Sequence, residues 1–296
     1  MDQAFIQPPR RLVVPIDNRH GKGDLSVLDF GDPARPPDLI FLHANGFNAW
    51  TYRSLLAPLG SALRILAPDL RGHGQSTLPT STRGRFSWRD HRDDLIALLD
   101  AMPGPPVTLA GHSMGATSAL LAAPKRPDRV ARLLLLEPVI WSRTMTTVLG
   151  LPLLKRTAAR SPIARGALRR RAVFDTREDA LKSYRGRGAF KGWSDGMLND
   201  YLAGGLIETA DGFTLACTPV WEASNYSAQA HDPWCALGRV TAPVRILKGQ
   251  ERSTCAVDPR DARRYPNLNV ETVPGGHLFP MTHAEIARDA LFEAAI

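Results

Sequence analysis

The chain has 296 residues, 44% hydrophobic and 22% charged, enough apolar material for one large α/β domain with an insertion or for two small domains. Its three cysteines, Cys217, Cys235 and Cys255, are odd in number and lack C-x-x-C spacing. That pattern argues against a disulfide framework or a zinc site and fits a reducing, cytoplasmic compartment. The first residues lack the basic-then-apolar order of a signal peptide, and no run of 18 apolar residues predicts a membrane span.

In chain order, Leu25–Phe30 reads as a strand, and residues 31–37, rich in Gly and Pro, as a turn. Leu39–Leu42 is a short apolar strand ending at His43, Trp50–Leu59 is expected as a helix, and Leu63–Ala67 as the next strand. Trp88–Leu99 reads as a helix, with Ser87 and Asp90 spaced as a capping box at its start. Val107–Ala110 is a strand, Ala116–Ala123 a helix, and Val130–Leu136 a further buried strand. Apolar strands separated by helices predict right-handed crossovers and a mainly parallel sheet covered on both faces.

That alternation stops at Pro138. Residues from Ile140 to Ala230 read as mostly helical, with no buried strand, and the strand pattern resumes at Val244–Leu247 and Leu268–Val273 before a closing helix, Ala284–Ala294. The expected organisation is an α/β core over residues 1–140 and 236–296, interrupted by a helical cap over 141–235. The positive charge concentrates in this insertion: Gly150–Lys191 holds 12 Lys and Arg against 3 Asp and Glu, out of a formal net charge of +8. Such a stretch favours acidic substrates or surfaces, but no aromatic-interleaved nucleic-acid motif accompanies it, and the simpler reading is a solvated helical face.

Between the strand at Val107 and the helix at Ala116 lies Gly111-His112-Ser113-Met114-Gly115. G-x-S-x-G at a strand-to-helix turn is the nucleophile elbow, which lifts one serine hydroxyl clear of its surroundings. Ser113 is then a nucleophile, weak alone and in need of an adjacent base. His277, in Gly275-Gly276-His277 after a predicted strand, is the candidate base, whereas His43, His73 and His112 read as loop-shaping residues.

Together with Phe41-Leu42-His43-Ala44-Asn45-Gly46-Phe47, Ala67-Pro68-Asp69-Leu70-Arg71-Gly72-His73-Gly74-Gln75-Ser76 and Gly275-Gly276-His277-Leu278-Phe279-Pro280, the elbow makes the chain resemble the α/β-hydrolase superfamily. The resemblance covers residues 25–140 and 240–296. It implies a metal-free, cofactor-free serine hydrolase acting on a small-molecule ester or lactone. It also implies an oxyanion hole built from the Met114 amide and one amide after the His43 strand. Ala44 stands where the family's common His-Gly-X pattern has Gly, which places the second donor at Asn45, with Phe47 as the alternative; Asp69 and Arg71 read as turn-holding. A carbon–carbon bond hydrolase would use the same residues, and a non-catalytic receptor could share the fold. A haloalkane dehalogenase would need Asp at Ser113.

The triad acid departs from the common pattern. Counting from Gly249, the usual Asp position is Arg252, which cannot orient a histidine; Glu251 lies one residue early and Asp258 six late. A minority of relatives place the acid after the preceding strand, where this chain has Glu137. A carboxylate ending an all-apolar strand is costly without a partner, and an imidazolium across the site is such a partner. Glu137 is therefore the expected acid, with Glu251 and Asp258 as alternatives.

Overall fold

The computed structural model describes residues 8–151 and 161–296. Lys155, Arg156 and Arg160 of the basic stretch lie outside these residues. The chain opens with an antiparallel hairpin of β1 (Arg10–Asn18) and β2 (Gly21–Phe30). β1 is absent from the sequence reading, and its position explains why: it is a half-exposed edge strand with Pro15 inside it, a residue tolerated only where no ladder partner is needed.

β3 (Leu39–Leu42), β4 (Ile65–Pro68), β5 (Val107–His112) and β6 (Val130–Leu136) follow. The expected helix at Trp50–Leu59 is instead three short consecutive pieces: 3-10 turns at Ala49–Tyr52 and Ala57–Ser61 flank α1 (Arg53–Leu56). Pro58, which lacks an N–H, and Gly60 fall in the last of them. α2 (Arg89–Ala101) begins without the expected capping box: Trp88 is its N-cap and supplies no side-chain bond. Asp90 is instead held by the Arg85 guanidinium, at 2.5 and 3.0 Å.

α3 (Met114–Ala122) leaves the elbow and packs beside α2. Beyond β6 come α4 (Arg143–Gly150), α5 (Pro162–Leu168), β7 (Val173–Phe174), α6 (Arg177–Tyr184), α7 (Asp195–Gly205), β8 (Leu206–Thr209), β9 (Gly212–Leu215), α8 (Pro219–Ser227) and α9 (Pro233–Leu237). The stretch is mainly helical, as expected, and it also carries a small antiparallel sheet of β7, β9 and β8 that the sequence reading did not include. Strands of two to four residues are too short for alternation to show. Gly212 turns β8 into β9 at φ 124°, where a Cβ would sit 2.5 Å from the Phe174 carbonyl oxygen.

β10 (Val244–Glu251), β11 (Leu268–Gly276), α10 (Phe279–Thr282) and α11 (Ala284–Ala295) complete the chain. The main sheet has the order β1-β2-β4-β3-β5-β6-β10-β11, parallel throughout except at the β1 and β2 pairings. Alternate residues feed opposite faces. Ile40, Leu42, Leu109 and Leu135 join the core beneath α2 and α3; Leu39, Phe41, Leu134 and Leu136 join the core beneath α1 and α11. Burying each such leucine contributes roughly 1.5–3 kcal/mol. These two cores fix the carboxyl ends of β3, β5, β6, β10 and β11 along one edge, where ligand sites of open parallel sheets form.

Candidate active site

Ser113 links β5 to α3 at φ 57° and ψ −118°, a backbone region sparsely populated by any side-chain-bearing residue. The glycines beside it follow from close backbone approach. A Cβ on Gly115 would lie 2.3 Å from the Leu42 carbonyl oxygen, and one on Gly111 would lie 2.7 Å from the Ala116 nitrogen. The turn is thereby wedged between β3 and its own helix, with the hydroxyl facing out of the elbow.

His277, carried by the loop after β11, places Nε2 2.9 Å from Ser113 Oγ and Nδ1 3.1 Å from Glu137 Oε2. Glu137 follows β6 at φ 48°, with its side chain fully buried. Both of its oxygens accept bonds from the end of β10 and the loop after it. Oε1 accepts from the Gly249 amide at 2.5 Å and Ser253 Oγ at 2.6 Å; Oε2 accepts from the Thr254 amide at 3.1 Å and lies 3.3 Å from Thr254 Oγ1. Burial alone would raise the carboxyl pKa, but the bonds from His277, Ser253 and Gly249 and the imidazole's charge outweigh it and bring the value down to about 2. Gly249 is glycine because β11 crosses it: a Cβ there would meet the Gly275 oxygen at 2.7 Å.

The loop after β3 shows which amides remain available. The Ala44 amide donates to Tyr52 Oη at 3.2 Å, Gly46 to His73 Nε2 at 3.2 Å, and Phe47 to the Ala44 carbonyl at 3.1 Å. The Phe47 amide, the alternative to Asn45, is thus already engaged. The Asn45 amide has no protein acceptor among the described residues. Neither has the Met114 amide, which opens α3 and so lacks an intrahelical partner. The Asn45 side chain is anchored to α8, donating to the Glu222 carbonyl at 3.0 Å and accepting from Asn225 at 2.8 Å.

A buried chain ties this loop to the base. The Tyr52 hydroxyl, occupied by the Ala44 amide, donates its proton to His112 Nδ1 at 2.6 Å. That leaves the His112 proton on Nε2, which donates to the His277 carbonyl at 2.8 Å. Burial drives the His112 pKa down to about 3, so it stays neutral in this tautomer. His43 and His73 are buried and neutral in the same way, each accepting a backbone N–H on Nε2.

A model of the alpha/beta hydrolase family matches residues 39–290. The chain belongs to that family. The hydrolase is 27% identical over 289 residues to the magnesium-chelatase 30 kDa subunit of Rhodobacter capsulatus, covering 95% of this chain and 90% of that protein. It is 24% identical over 258 residues to 2-(acetamidomethylene)succinate hydrolase of Mesorhizobium japonicum, covering 84% of each. A crystal structure of E-2-(acetamidomethylene)succinate hydrolase superposes with a TM-score of 0.76 at 22% identity, over 96% of this chain and 98% of that one. At that identity the superposition shows the fold.

Among the described residues, neither remaining acid candidate of this hydrolase bonds to His277. Glu251 is exposed at the end of β10, and Asp258 is an exposed cap whose carboxylate accepts from the Arg260 amide at 2.9 Å. Asp69 and Arg71 hold turns: Asp69 accepts the Ala49 and Gln75 amides, and Arg71 pairs with Asp94 at 2.6 and 2.8 Å. Sequence reasoning missed Ser253 and Thr254, which stand in the loop where the usual acid would be and bond the Glu137 carboxylate. It also missed Arg170, pinned to Glu222 at 2.5 Å and to the Tyr201 hydroxyl at 2.6 Å. A cavity of about 550 Å³ opens over Ser113, His277, Asn45 and Met114, walled largely by Phe47, Trp88, Trp141, Phe190 and Leu278. Among the described residues, no cluster of three or more His, Cys, Asp or Glu is placed to hold a metal ion, and no helix is long and apolar enough to cross a membrane.

Proposed function

We propose that this hydrolase cleaves a carboxylic ester or lactone through an acyl-enzyme on Ser113. The continuous Ser113–His277–Glu137 hydrogen-bond chain carries the reading. His277 Nε2 takes the Ser113 proton as Oγ bonds to the carbonyl carbon. The oxyanion faces the Asn45 and Met114 amides, and the imidazolium returns the proton to the departing alkoxide. Water, deprotonated by the same nitrogen, then attacks the acyl carbon and restores the serine. Glu137 holds the His277 proton on Nδ1 and stabilises the imidazolium throughout. The inserted segment acts as a cap that sets substrate choice by walling the cavity with aromatic side chains. Free thiols at Cys217, Cys235 and Cys255 support a cytoplasmic setting.

A panel of p-nitrophenyl esters and simple lactones offered to purified protein tests the reading. We expect saturable hydrolysis that Ser113→Ala abolishes; activity only on carbon–carbon substrates would redirect the same residues to that chemistry. The likeness to a protein named as a magnesium-chelatase subunit, over nearly the whole chain, favours one second reading: an accessory polypeptide working beside a chelatase. In that reading Ser113→Ala leaves function intact and no ester is turned over.

A further inference from the structure

We infer that the substrate carries a carboxylate remote from its scissile bond, and that Arg187 receives it; this rests on the ester-hydrolase reading above. Among the described residues, two guanidinium groups line the cavity, Arg170 and Arg187, and one carboxylate, Glu222. Glu222 is consumed by Arg170, whose remaining donors reach the Tyr184 hydroxyl at 3.2 Å and the Tyr201 hydroxyl at 2.6 Å. Arg187 has no carboxylate within 4 Å among the described residues, whereas its near neighbour Arg185 is paired with Asp195 at 3.0 Å. Among the described residues the lining thus carries one guanidinium without a carboxylate partner, that of the exposed Arg187, beside a wall rich in aromatic and aliphatic side chains.

The loop bearing Arg187 is shaped for its path rather than for packing. Gly186 and Gly188 flank it at φ 69° and 53°, and a Cβ on either would touch nothing within 4 Å. Both glycines therefore serve backbone torsion alone, and the turn they permit brings Arg187, Gly188 and Ala189 to the cavity wall. A planar guanidinium matches a carboxylate through two parallel N–H···O bonds. A phosphate dianion would call for a second unmatched cation, and the described residues of the lining supply none. The substrate class is then an apolar acyl or alkyl body ending in a carboxylate, oriented with its ester toward Ser113 and its charge toward Arg187.

Two esters of equal chain length test this: p-nitrophenyl hydrogen adipate, which ends in a carboxylate, and p-nitrophenyl hexanoate, which ends in a methyl group. Arg187→Gln should lower the adipate-to-hexanoate ratio of kcat/KM about tenfold, the scale of one charge-assisted hydrogen-bonded pair. Arg187→Lys should restore part of the ratio, and Arg185→Gln should leave it unchanged. Rising salt should depress the adipate rate more than the hexanoate rate. Binding is read separately from turnover in Ser113→Ala protein, through the fluorescence of Trp88 and Trp141 at the cavity wall. There the same Arg187-dependent preference is expected in Kd. A ratio unmoved by Arg187→Gln in both assays overturns the inference and leaves the hydrolase reading standing. Charge-dependent binding without turnover of either ester would refute the hydrolase reading and keep the anion site.

Discussion

Replacing Glu137 by Gln is a more disruptive change here than an acid-to-amide swap at an exposed carboxylate. The groups facing the two carboxylate oxygens are the Gly249 amide and Ser253 hydroxyl on one, and the Thr254 amide, the Thr254 hydroxyl and His277 Nδ1 on the other, so that each oxygen meets at least one N–H that can only donate. A glutamine NH2 must take one of those positions. Placed on the Gly249 side, it opposes a buried backbone N–H that has nowhere to turn. Placed on the Thr254 side, it opposes another backbone N–H and takes away the carboxylate that holds the His277 proton on Nδ1, leaving the Thr254 hydroxyl, 3.0 Å from Nδ1, as the neutral acceptor there and favouring the tautomer with no lone pair for Ser113. Each buried donor left unmatched costs about 1–3 kcal/mol, so Glu137→Gln should destabilise the fold by about that much. The wrong tautomer costs about 10⁴ in kcat in the best-studied triad protease, and a comparable loss is expected here with KM little changed. Urea unfolding and steady-state kinetics on the same preparation measure both. A stable, fully active Glu137→Gln protein would refute the reasoning, as would a similar loss from Glu251→Gln, which alters only an exposed side chain.

The Glu137 carboxyl, with a folded pKa of about 2 against an ordinary value near 4.5, contributes stability that is complete above the ordinary value and lost as pH falls toward 2. Urea titrations should lose about 3 kcal/mol from this group over that window, and Glu137→Gln should flatten that part of the profile; an unchanged slope would contradict it. Tyr52→Phe removes the proton that fixes the His112 tautomer and the acceptor of the Ala44 amide. It should lower kcat roughly tenfold, one buried hydrogen bond's worth, with KM little moved; unchanged kcat in a folded variant would show that the chain through His112 does not position the site.

The sites most legible from sequence are those where backbone geometry leaves one residue type. Gly111 and Gly115 are required by contacts of 2.7 and 2.3 Å, which is why the elbow shows as a pattern of letters. The buried strands β3 to β6 show because every residue or every second residue must be apolar, whereas β1 and the two- to four-residue strands of the inserted segment carry no such constraint. The donor loop is harder to read. In sequence, Asn45 is preferred to Phe47 only through an altered family pattern; in the structure the Phe47 amide turns back to the Ala44 carbonyl, and the Ala44 and Gly46 amides are taken by Tyr52 and His73 from elsewhere in the chain. Arg170 and Glu222 lie 52 residues apart and meet only through the fold of the inserted segment, so no local spacing announces them. Ser253 and Thr254 stand between these cases: their position was in view, and their meaning depended on a carboxylate from β6.

Intact-mass spectrometry after exposure to a fluorophosphonate probe tests most directly whether Ser113 is an activated nucleophile. The Ser113–His277–Glu137 chain predicts a single stoichiometric adduct that maps to Ser113, disappears in Ser113→Ala and forms far more slowly in His277→Ala. No adduct on folded wild-type protein, or an adduct that persists in Ser113→Ala, would contradict it.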